Sequence, residues 1–300
     1  MTPSTNGLSG VITPVVTPFT NDEPDIEALA SNLRAQDSTG VAGYLALGSN
    51  GEFRSLSERE AEKVMEVFGE GKNGKQLLVG AGSESTSQTI RTCRVAASHG
   101  ADYASVITPS YFARIIDDAV MLRYFTAVAD ASPIPVVLYN IPESTGGIQI
   151  SPAVLGQLAR HPNIRGIKDS SPVGPSRYLA VLEPGSDFRV LSGSIATFYP
   201  SLCLGASGGV LSLANVIPDL CVRLYRHCTQ GEHEAARSLH FTLTRLNQCL
   251  AGKYGVPGVK AAMEMMGLRG ASPRLPLVPL SEEQRQGVRR ALQEAGALPR

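Results

Sequence analysis

One lysine, Lys168, lies where its side chain could act as a nucleophile. It ends the apolar run of a candidate strand, and an amine in such surroundings loses the hydration that favours its ammonium form. We therefore expect Lys168 to attack a substrate carbonyl and form an imine. The alternative is a structural ion pair with the adjacent Asp169. The remaining lysines fall in candidate helices or in helix-to-strand connections: Lys63, Lys72, Lys75, Lys253 and Lys260.

Tyr139 is the candidate proton relay that imine chemistry needs. It ends the preceding candidate strand, and a tyrosine near a cation can pass a proton to a carbinolamine and then to an aldol hydroxyl. The two-residue period of a strand places Val137 and Tyr139 on one face, as it does Gly166 and Lys168. The alternative is an amphipathic tyrosine at the rim of a sheet.

The segment Ser49-Asn50-Gly51 could hold a carboxylate. It offers a hydroxyl, an amide and backbone N–H groups just before a helix, so it can bind an anion without a fixed cation. A 2-oxo acid of the pyruvate type would suit such a turn. Taken alone, the same residues also form ordinary loops.

Metal-dependent chemistry has no signature in the sequence. The five histidines show neither HxH nor HExxH spacing, so we predict no metal. Without a metal to stabilise an enolate, a covalent imine on Lys168 would have to accept the electrons, and no other cofactor is expected. No GxSxG elbow and no Rossmann GxGxxG fingerprint offers a competing reading.

A repeating unit of short strand, turn and amphipathic helix must position these residues. Eight such strands favour a closed (β/α)8 barrel, in which ligands bind at the carboxyl ends of the strands. Polar residues at other strand ends, from Thr108 to Tyr111 and from Ser192 to Ser194, are therefore further candidates. The predicted strands are 11–17, 43–48, 76–82, 103–108, 135–140, 164–169, 188–193 and 207–213.

Helix starts are well marked. Ser57 with Glu60 and Ser85 with Gln88 fit capping boxes, and Ser151 precedes a first-turn proline. After the eighth strand the pattern becomes purely helical, with predicted helices over 217–228, 232–250, 256–266 and 281–294. We predict a catalytic barrel over 1–230 and a helical extension over 231–300 packed on it. The prolines between 273 and 279 indicate an ordered connector.

Composition restricts the partners. The formal net charge is zero, so the chain lacks the basic excess that normally accompanies binding to nucleic acid or to an anionic membrane surface. Five cysteines without CxxC pairing suggest reduced thiols. The N-terminal segment has no apolar or Arg-rich leader pattern, and no apolar run approaches about 18 residues. We therefore expect a cytoplasmic protein.

Several motifs, in order, resemble those of the dihydrodipicolinate synthase and N-acetylneuraminate lyase family. Gly48 to Glu52 is similar to its GxxGE pyruvate-carboxylate motif, and Gly166 to Asp169 to its Schiff-base motif. Tyr139 to Pro142, followed by Thr145-Gly146, resembles its catalytic-tyrosine motif. The resemblance runs from Gly10 to about Leu280.

The resemblance implies roles for individual residues. Lys168 would form the imine, Tyr139 would relay the proton, and Ser49 and Asn50 would hold the pyruvate carboxylate. Tyr111 resembles a tyrosine that reaches across a dimer interface to complete the relay, which implies a homodimer, commonly paired into a homotetramer. The residues expected to contact the second substrate are Ser144, Ser170, Gly193, Ser194 and Phe112.

Within the family, Ser144 occupies the position where dihydrodipicolinate synthases carry an arginine for the aldehyde's carboxylate. The motif combination, including Leu213 to Val216, is closer to 4-hydroxy-2-oxoglutarate aldolases, which are carbon–carbon lyases. This resemblance implies cleavage of 4-hydroxy-2-oxoglutarate to pyruvate and glyoxylate. The alternatives are synthase activity, an aldolase or dehydratase for a 3-deoxy-2-oxo sugar acid, and a catalytically silent binding barrel.

Overall fold

Eight parallel strands form a closed barrel in a computed structural model that describes residues 7–299. We number the strands β1 to β8 along the chain, and their order around the barrel is β1-β8-β7-β6-β5-β4-β3-β2. The expected (β/α)8 fold with additional C-terminal helices is therefore confirmed. Most of the N-terminal segment on which the leader prediction rests lies outside the described residues.

All eight predicted strands are present, and most are shorter than predicted. They are β1 (Gly10–Pro14), β2 (Gly43–Ala46), β3 (Gln76–Gly80), β4 (Tyr103–Ile107), β5 (Val136–Asn140), β6 (Ile164–Asp169), β7 (Arg189–Ser192) and β8 (Gly208–Val210). The largest differences are at β1 and β8. Beyond β8, residues Ser212–Asn215 form a 3-10 turn, and its first two residues belong to the strand that the sequence predicts over 207–213.

Two compact units make up the described chain. The first contains the residues up to Gly10 and those from Gln76 to Val210, with β3 to β8. Its strands β5 and β6 are almost completely buried, as expected for parallel strands covered on both faces. Phe125, Leu138 and Tyr178 are among its core residues. Its helices are α3 (Thr86–Ser98), α4 (Asp118–Ala131), α5 (Pro152–Leu158), α6 (Ser176–Leu179) and α7 (Ile195–Cys203).

The second unit contains the residues from Val11 to Lys75 and those from Leu211 onward. Within it β1 and β2 pair in parallel, with Ile12 opposite Gly43. A short antiparallel hairpin, Phe19–Thr20 with Glu23–Pro24, follows β1. Its helices are α1 (Ile26–Gln36), α2 (Glu58–Gly71), α8 (Pro218–Thr229), α9 (His233–Cys249), α10 (Ala251–Met265) and α11 (Glu282–Glu294).

Helix α10 begins earlier than predicted. Its backbone leaves the helical region at Gly255, where φ is +60°, and Pro257 follows. The sequence pattern detects only the part beyond this kink. The four C-terminal helices are confirmed, whereas the boundary between residues 230 and 231 stays a prediction.

Side-chain caps fix where the helices start. Ser57 and Glu60 form a reciprocal capping box at α2, and Ser151 caps α5 ahead of Pro152. At α3, Ser85 accepts a hydrogen bond from the Gln88 N–H, but the reciprocal half of the predicted box is not part of this cap. The hydroxyl alone still satisfies one of the free donors of the first turn.

Candidate active site

Lys168 and Tyr139 lie side by side at the carboxyl ends of adjacent strands. They are register partners in the β5–β6 ladder, and the Lys168 Nζ lies 3.8 Å from the centroid of the Tyr139 ring. Each residue is only 5% exposed. The structure thus brings together the two residues that the sequence predicts as nucleophile and proton relay.

Asp169 does not serve as the partner of Lys168. Its Oδ1 accepts a hydrogen bond from the Asn140 Nδ2 at 2.7 Å, and its Oδ2 accepts one from the Ser171 Oγ at 2.8 Å. The Ser171 N–H also donates to Oδ1. Because strand residues alternate between faces, Asp169 lies on the opposite face from Lys168. The structural ion pair considered as an alternative is absent from the ion pairs of residues 7–299.

Asn140 also organises the segment that follows Tyr139. Its Oδ1 accepts a hydrogen bond from the Ile150 N–H at 2.9 Å, so the chain after β5 folds back toward its own strand. The Thr145 hydroxyl, which contacts the carbonyls of Ile141 and Ile148 at 3.0 Å each, closes the same loop. Ser144 lies on this loop, exposed, at the end of a 3-10 turn.

Ser170 and Gly193 are neighbours beyond the ends of β6 and β7. The Gly193 N–H donates to the Asp169 carbonyl at 2.7 Å, and a Cβ added at Gly193 would lie 1.9 Å from the Ser170 Oγ. A side chain at position 193 would therefore require the Ser170 hydroxyl to move. Ser194 is the N-cap of α7, where its hydroxyl accepts from the Ala196 N–H at 3.3 Å.

Tyr111 and Phe112 are exposed, by 80% and 59% respectively. Their rings meet edge to face with centroids 5.0 Å apart. The carboxylate of Glu84 holds this loop, because it accepts hydrogen bonds from the N–H groups of Ser110 and Tyr111 and from the Ser110 hydroxyl, at 2.9–3.1 Å. Sequence reasoning missed Glu84, which lies between β3 and α3.

In the second unit, Ser49, Asn50 and Gly51 form a 3-10 turn just beyond β2. The Asn50 Nδ2 donates to the Ser212 Oγ at 2.9 Å, and the Thr17 hydroxyl donates to the Gly51 carbonyl at 2.8 Å. Ser212 directly precedes the Leu213 to Val216 motif. That motif is the one sequence signal that points to the contact between Ser212 and Asn50. The turn is therefore fixed through its side chains and its backbone.

Glu52, the next residue, forms a buried ion pair that the sequence did not predict. Its Oε1 lies 2.6 Å from the Lys260 Nζ, and both side chains are 1% exposed. Burial lowers the pKa of Lys260, and the adjacent Glu52 carboxylate opposes that shift. Lys260 falls on a candidate helix, so the sequence places it away from the expected catalytic face.

Residues 7–299 contain no group of three or more His, Cys, Asp or Glu side chains suited to hold a metal ion. Over the same residues, none of the helices combines the length and the apolar character needed to cross a lipid bilayer.

The fold and the lysine–tyrosine pair define a (β/α)8-barrel protein whose candidate reactive groups lie at the carboxyl ends of the strands. The sequence profile of the Dihydrodipicolinate synthetase family matches residues 7–295. The chain therefore belongs to that family.

Individual relatives cover nearly the whole chain. A 4-hydroxy-tetrahydrodipicolinate synthase of Methanosphaerula palustris is 39% identical over 92% of this chain and 95% of its own length. A protein of Emericella nidulans named as a probable mitochondrial 4-hydroxy-2-oxoglutarate aldolase is 33% identical over 98% and 96%. A solved E. coli K12 prophage protein of the dihydrodipicolinic acid synthase family, in complex with pyruvate, superposes with a TM-score of 0.91 at 29% identity, covering 97% of this chain and 99% of that one.

Membership of the family settles the reaction class. Its members are lyases and aldolases that act on carbon–carbon bonds. They work through a covalent Schiff base between a lysine and pyruvate, with no additional cofactor. The chain is thus a carbon–carbon lyase.

Proposed function

We propose that the chain is a class I aldolase that cleaves 4-hydroxy-2-oxoglutarate to pyruvate and glyoxylate, with Lys168 as the imine-forming residue. The observation that carries the proposal is the buried Lys168 Nζ lying 3.8 Å from the Tyr139 ring. A buried amine next to a phenol supplies both groups that imine chemistry requires.

The proposed reaction begins when the Lys168 amine attacks the C2 carbonyl of the substrate. The carbinolamine loses water to give a protonated imine, and Tyr139 supplies and removes the protons. Deprotonation of the C4 hydroxyl then breaks the C3–C4 bond, and its electron pair moves into the imine to form an enamine. Glyoxylate leaves, C3 takes up a proton, and hydrolysis releases pyruvate and regenerates the amine.

Ser49, Asn50 and Gly51 are proposed to bind the carboxylate next to the attacked carbonyl. Their turn follows β2 after Leu47 and Gly48, and it places a hydroxyl and a side-chain amide at the start of a helical turn, where an anion can bind. The proposed contacts for the rest of the substrate are Ser144, Ser170, Gly193, Ser194 and Phe112.

The choice of substrate rests on Ser144. The resemblance to the synthases implies an arginine here for the carboxylate of their aldehyde, and the exposed serine on the loop after β5 departs from that pattern. In the proposed reaction the carboxylate of glyoxylate is bound by uncharged groups, among them the Ser144 hydroxyl. The Emericella nidulans relative supports the same choice, since it matches 98% of this chain.

A second candidate is condensation of pyruvate with an aldehyde, as in a 4-hydroxy-tetrahydrodipicolinate synthase. The observation in its favour is the 39% identity with the Methanosphaerula palustris synthase. The same imine serves both reactions. Incubation of the protein and pyruvate with either glyoxylate or the synthase's aldehyde separates them, because only the true partner gives a condensation product.

We further propose that the chain acts as a homodimer or homotetramer, with Tyr111 completing the relay of a second copy. The exposure of Tyr111 and Phe112 supports this, since two adjacent aromatic rings are rarely left in water without a partner surface. A cytoplasmic location stays a prediction from the sequence.

Trapping with borohydride tests the central proposal. Pyruvate and sodium borohydride added to the folded protein should leave a reduced adduct on the peptide that contains Lys168, and Lys168→Ala should abolish both adduct and turnover. A matched control is Lys63→Ala, on the exposed face of α2, which should leave both unchanged. A folded wild-type protein that gives no adduct would refute the proposal.

A further inference from the structure

The buried ion pair of Glu52 and Lys260 anchors the chain at Glu52, where the backbone is strained. Glu52 has φ +53° and ψ +36°, which is the left-handed region that side-chain-bearing residues rarely adopt. It directly follows the Ser49-Asn50-Gly51 turn, and its N–H donates to the Ser49 carbonyl at 3.1 Å. The orientation of the turn thus depends on what holds Glu52.

Both oxygens of the Glu52 carboxylate are engaged by the C-terminal part of the second unit. Oε1 contacts the Lys260 Nζ at 2.6 Å, and Oε2 accepts a hydrogen bond from the backbone N–H of Arg274 at 2.9 Å. The Lys260 Nζ also donates to the Ser272 carbonyl at 3.0 Å. The Glu52 carboxylate is therefore bound both by helix α10 and by the connector that follows this helix.

The Phe19 ring contacts the side-chain cations of both Lys260 and Arg274. The Lys260 Nζ is 4.7 Å from its ring centroid and the Arg274 Cζ is 4.5 Å from it. Each distance is within the range of a cation–π interaction. The pair is thus enclosed, and the low local polarity strengthens the Glu52–Lys260 attraction.

Added stability does not by itself explain why this buried ion pair is present. Taking both charges out of water costs about as much as their attraction returns, so apolar residues of similar volume are often as stable. An ion pair does restrict the backbone, because few backbone conformations keep the two charged groups in contact. The backbone in question here is that of the carboxylate-binding turn.

We propose that Glu52 and Lys260 are positioning residues that hold the Ser49-Asn50-Gly51 turn in the orientation that binds the substrate carboxylate. The inference rests on the proposed function, since it takes that turn as the carboxylate site. Ser212 and Thr17, which bind the side chain of Asn50 and the carbonyl of Gly51, hold the preceding two residues in the same way.

The test compares pyruvate with methyl pyruvate, which has the same ketone and no carboxylate charge. Half-saturating concentrations for both are measured by borohydride trapping on Lys168, for the wild type, Glu52→Gln, Lys260→Met and the double variant. In the wild type pyruvate should bind more tightly than its ester. In each variant the half-saturating pyruvate should rise at least about tenfold, with little change for the ester and little loss of trapping at saturation.

The double variant separates positioning from folding. Removing one partner leaves a buried charge uncompensated, whereas removing both restores much of the stability. We expect the double variant to regain its unfolding midpoint and still to bind pyruvate weakly. Lys253→Met, an exposed lysine on the same helix, is the matched control and should match the wild type.

The outcomes are distinct. An unchanged pyruvate-to-ester preference in a folded variant, or a double variant that recovers both stability and pyruvate binding, overturns the inference. A wild type that forms no adduct on Lys168 overturns the proposed function instead.

Discussion

The Lys168 Nζ lies over the face of the Tyr139 ring, 3.8 Å from its centroid. The register of β5 and β6 produces this contact, since the two residues are direct partners in the ladder. The negative face of an aromatic ring stabilises a nearby positive charge. In the proposed reaction that charge is the iminium formed on the same nitrogen, so the ring and the hydroxyl of Tyr139 would have separate functions.

Tyr139→Phe tests this division. The variant keeps the ring and loses the hydroxyl, so we expect kcat to fall by about 10²- to 10⁴-fold, the usual contribution of general acid–base catalysis. Pyruvate should still become attached to Lys168 under borohydride, but more slowly. Steady-state assays and mass spectrometry measure the two effects. A variant with wild-type kcat would remove Tyr139 from the proton relay.

Gly193→Ala should damage the site by steric overlap alone. A Cβ there would lie 1.9 Å from the Ser170 Oγ and 3.0 Å from the Asp169 carbonyl oxygen. Overpacking of this kind costs about 1–3 kcal/mol, and β6 carries Lys168 next to the displaced atoms. We expect a lower unfolding midpoint together with reduced kcat.

Two further variants show whether the overlap is the cause. Combining Gly193→Ala with Ser170→Gly removes the nearest clash and should recover part of the lost stability. Gly287→Ala, in α11, places a Cβ where no atom lies within 4 Å and should stabilise the protein by up to about 1 kcal/mol. Equal behaviour of the two alanine variants would show that the predicted clash does not occur.

Lys168 and Tyr139 were predictable because their signals are local. Each ends an apolar run, and the two-residue period of a strand fixes which face it occupies. The eight strands followed from the same kind of pattern. Their ends were less certain, since the strand predicted over 207–213 gives way to a 3-10 turn at Ser212.

Glu84 and Lys260 could not be found in this way. Glu84 binds the backbone N–H groups of Ser110 and Tyr111. Every residue except proline has such a group, so the residue types do not reveal which of them binds a carboxylate. Lys260 meets Glu52 only after the C-terminal helices have packed, so neither residue shows its partner locally. Long-range pairing of this sort requires the structure.

The ion pair between Glu60 and Arg274 predicts a pH dependence of stability. The Arg274 guanidinium, hydrogen-bonded to the carboxylate, is the largest cause that lowers the pKa of Glu60 from 4.5 to about 2. Because the pKa is lower in the folded state, the pair stabilises the fold at pH values above 4.5, and this contribution is lost as the pH falls toward 2. Glu60→Gln should lower the stability at neutral pH and flatten its fall with acid.

Urea unfolding at neutral pH and across the range from 4.5 to 2 measures this effect. Glu66→Gln is the control, because Glu66 is an exposed residue of the same helix. It should leave both the midpoint and its pH dependence unchanged. If Glu60→Gln has the same acid sensitivity as the wild type, the pair does not govern this part of the profile.

Tyr111→Phe tests the proposed contribution of a second copy. The side chain is 80% exposed in the single chain, and the loop that carries it is anchored by Glu84. If its hydroxyl completes the relay of a partner copy, the variant should keep its fold and lose about a hundredfold in kcat.

Complementation shows whether that hydroxyl acts across an interface. In a mixed dimer of Lys168→Ala with Tyr111→Phe chains, one site would combine an intact lysine with the tyrosine of the other chain. Random co-assembly should then restore about a quarter of wild-type activity, because half of the dimers are mixed and each has one complete site. Activity no higher than the sum of the two separate variants would place Tyr111 outside the partner's site.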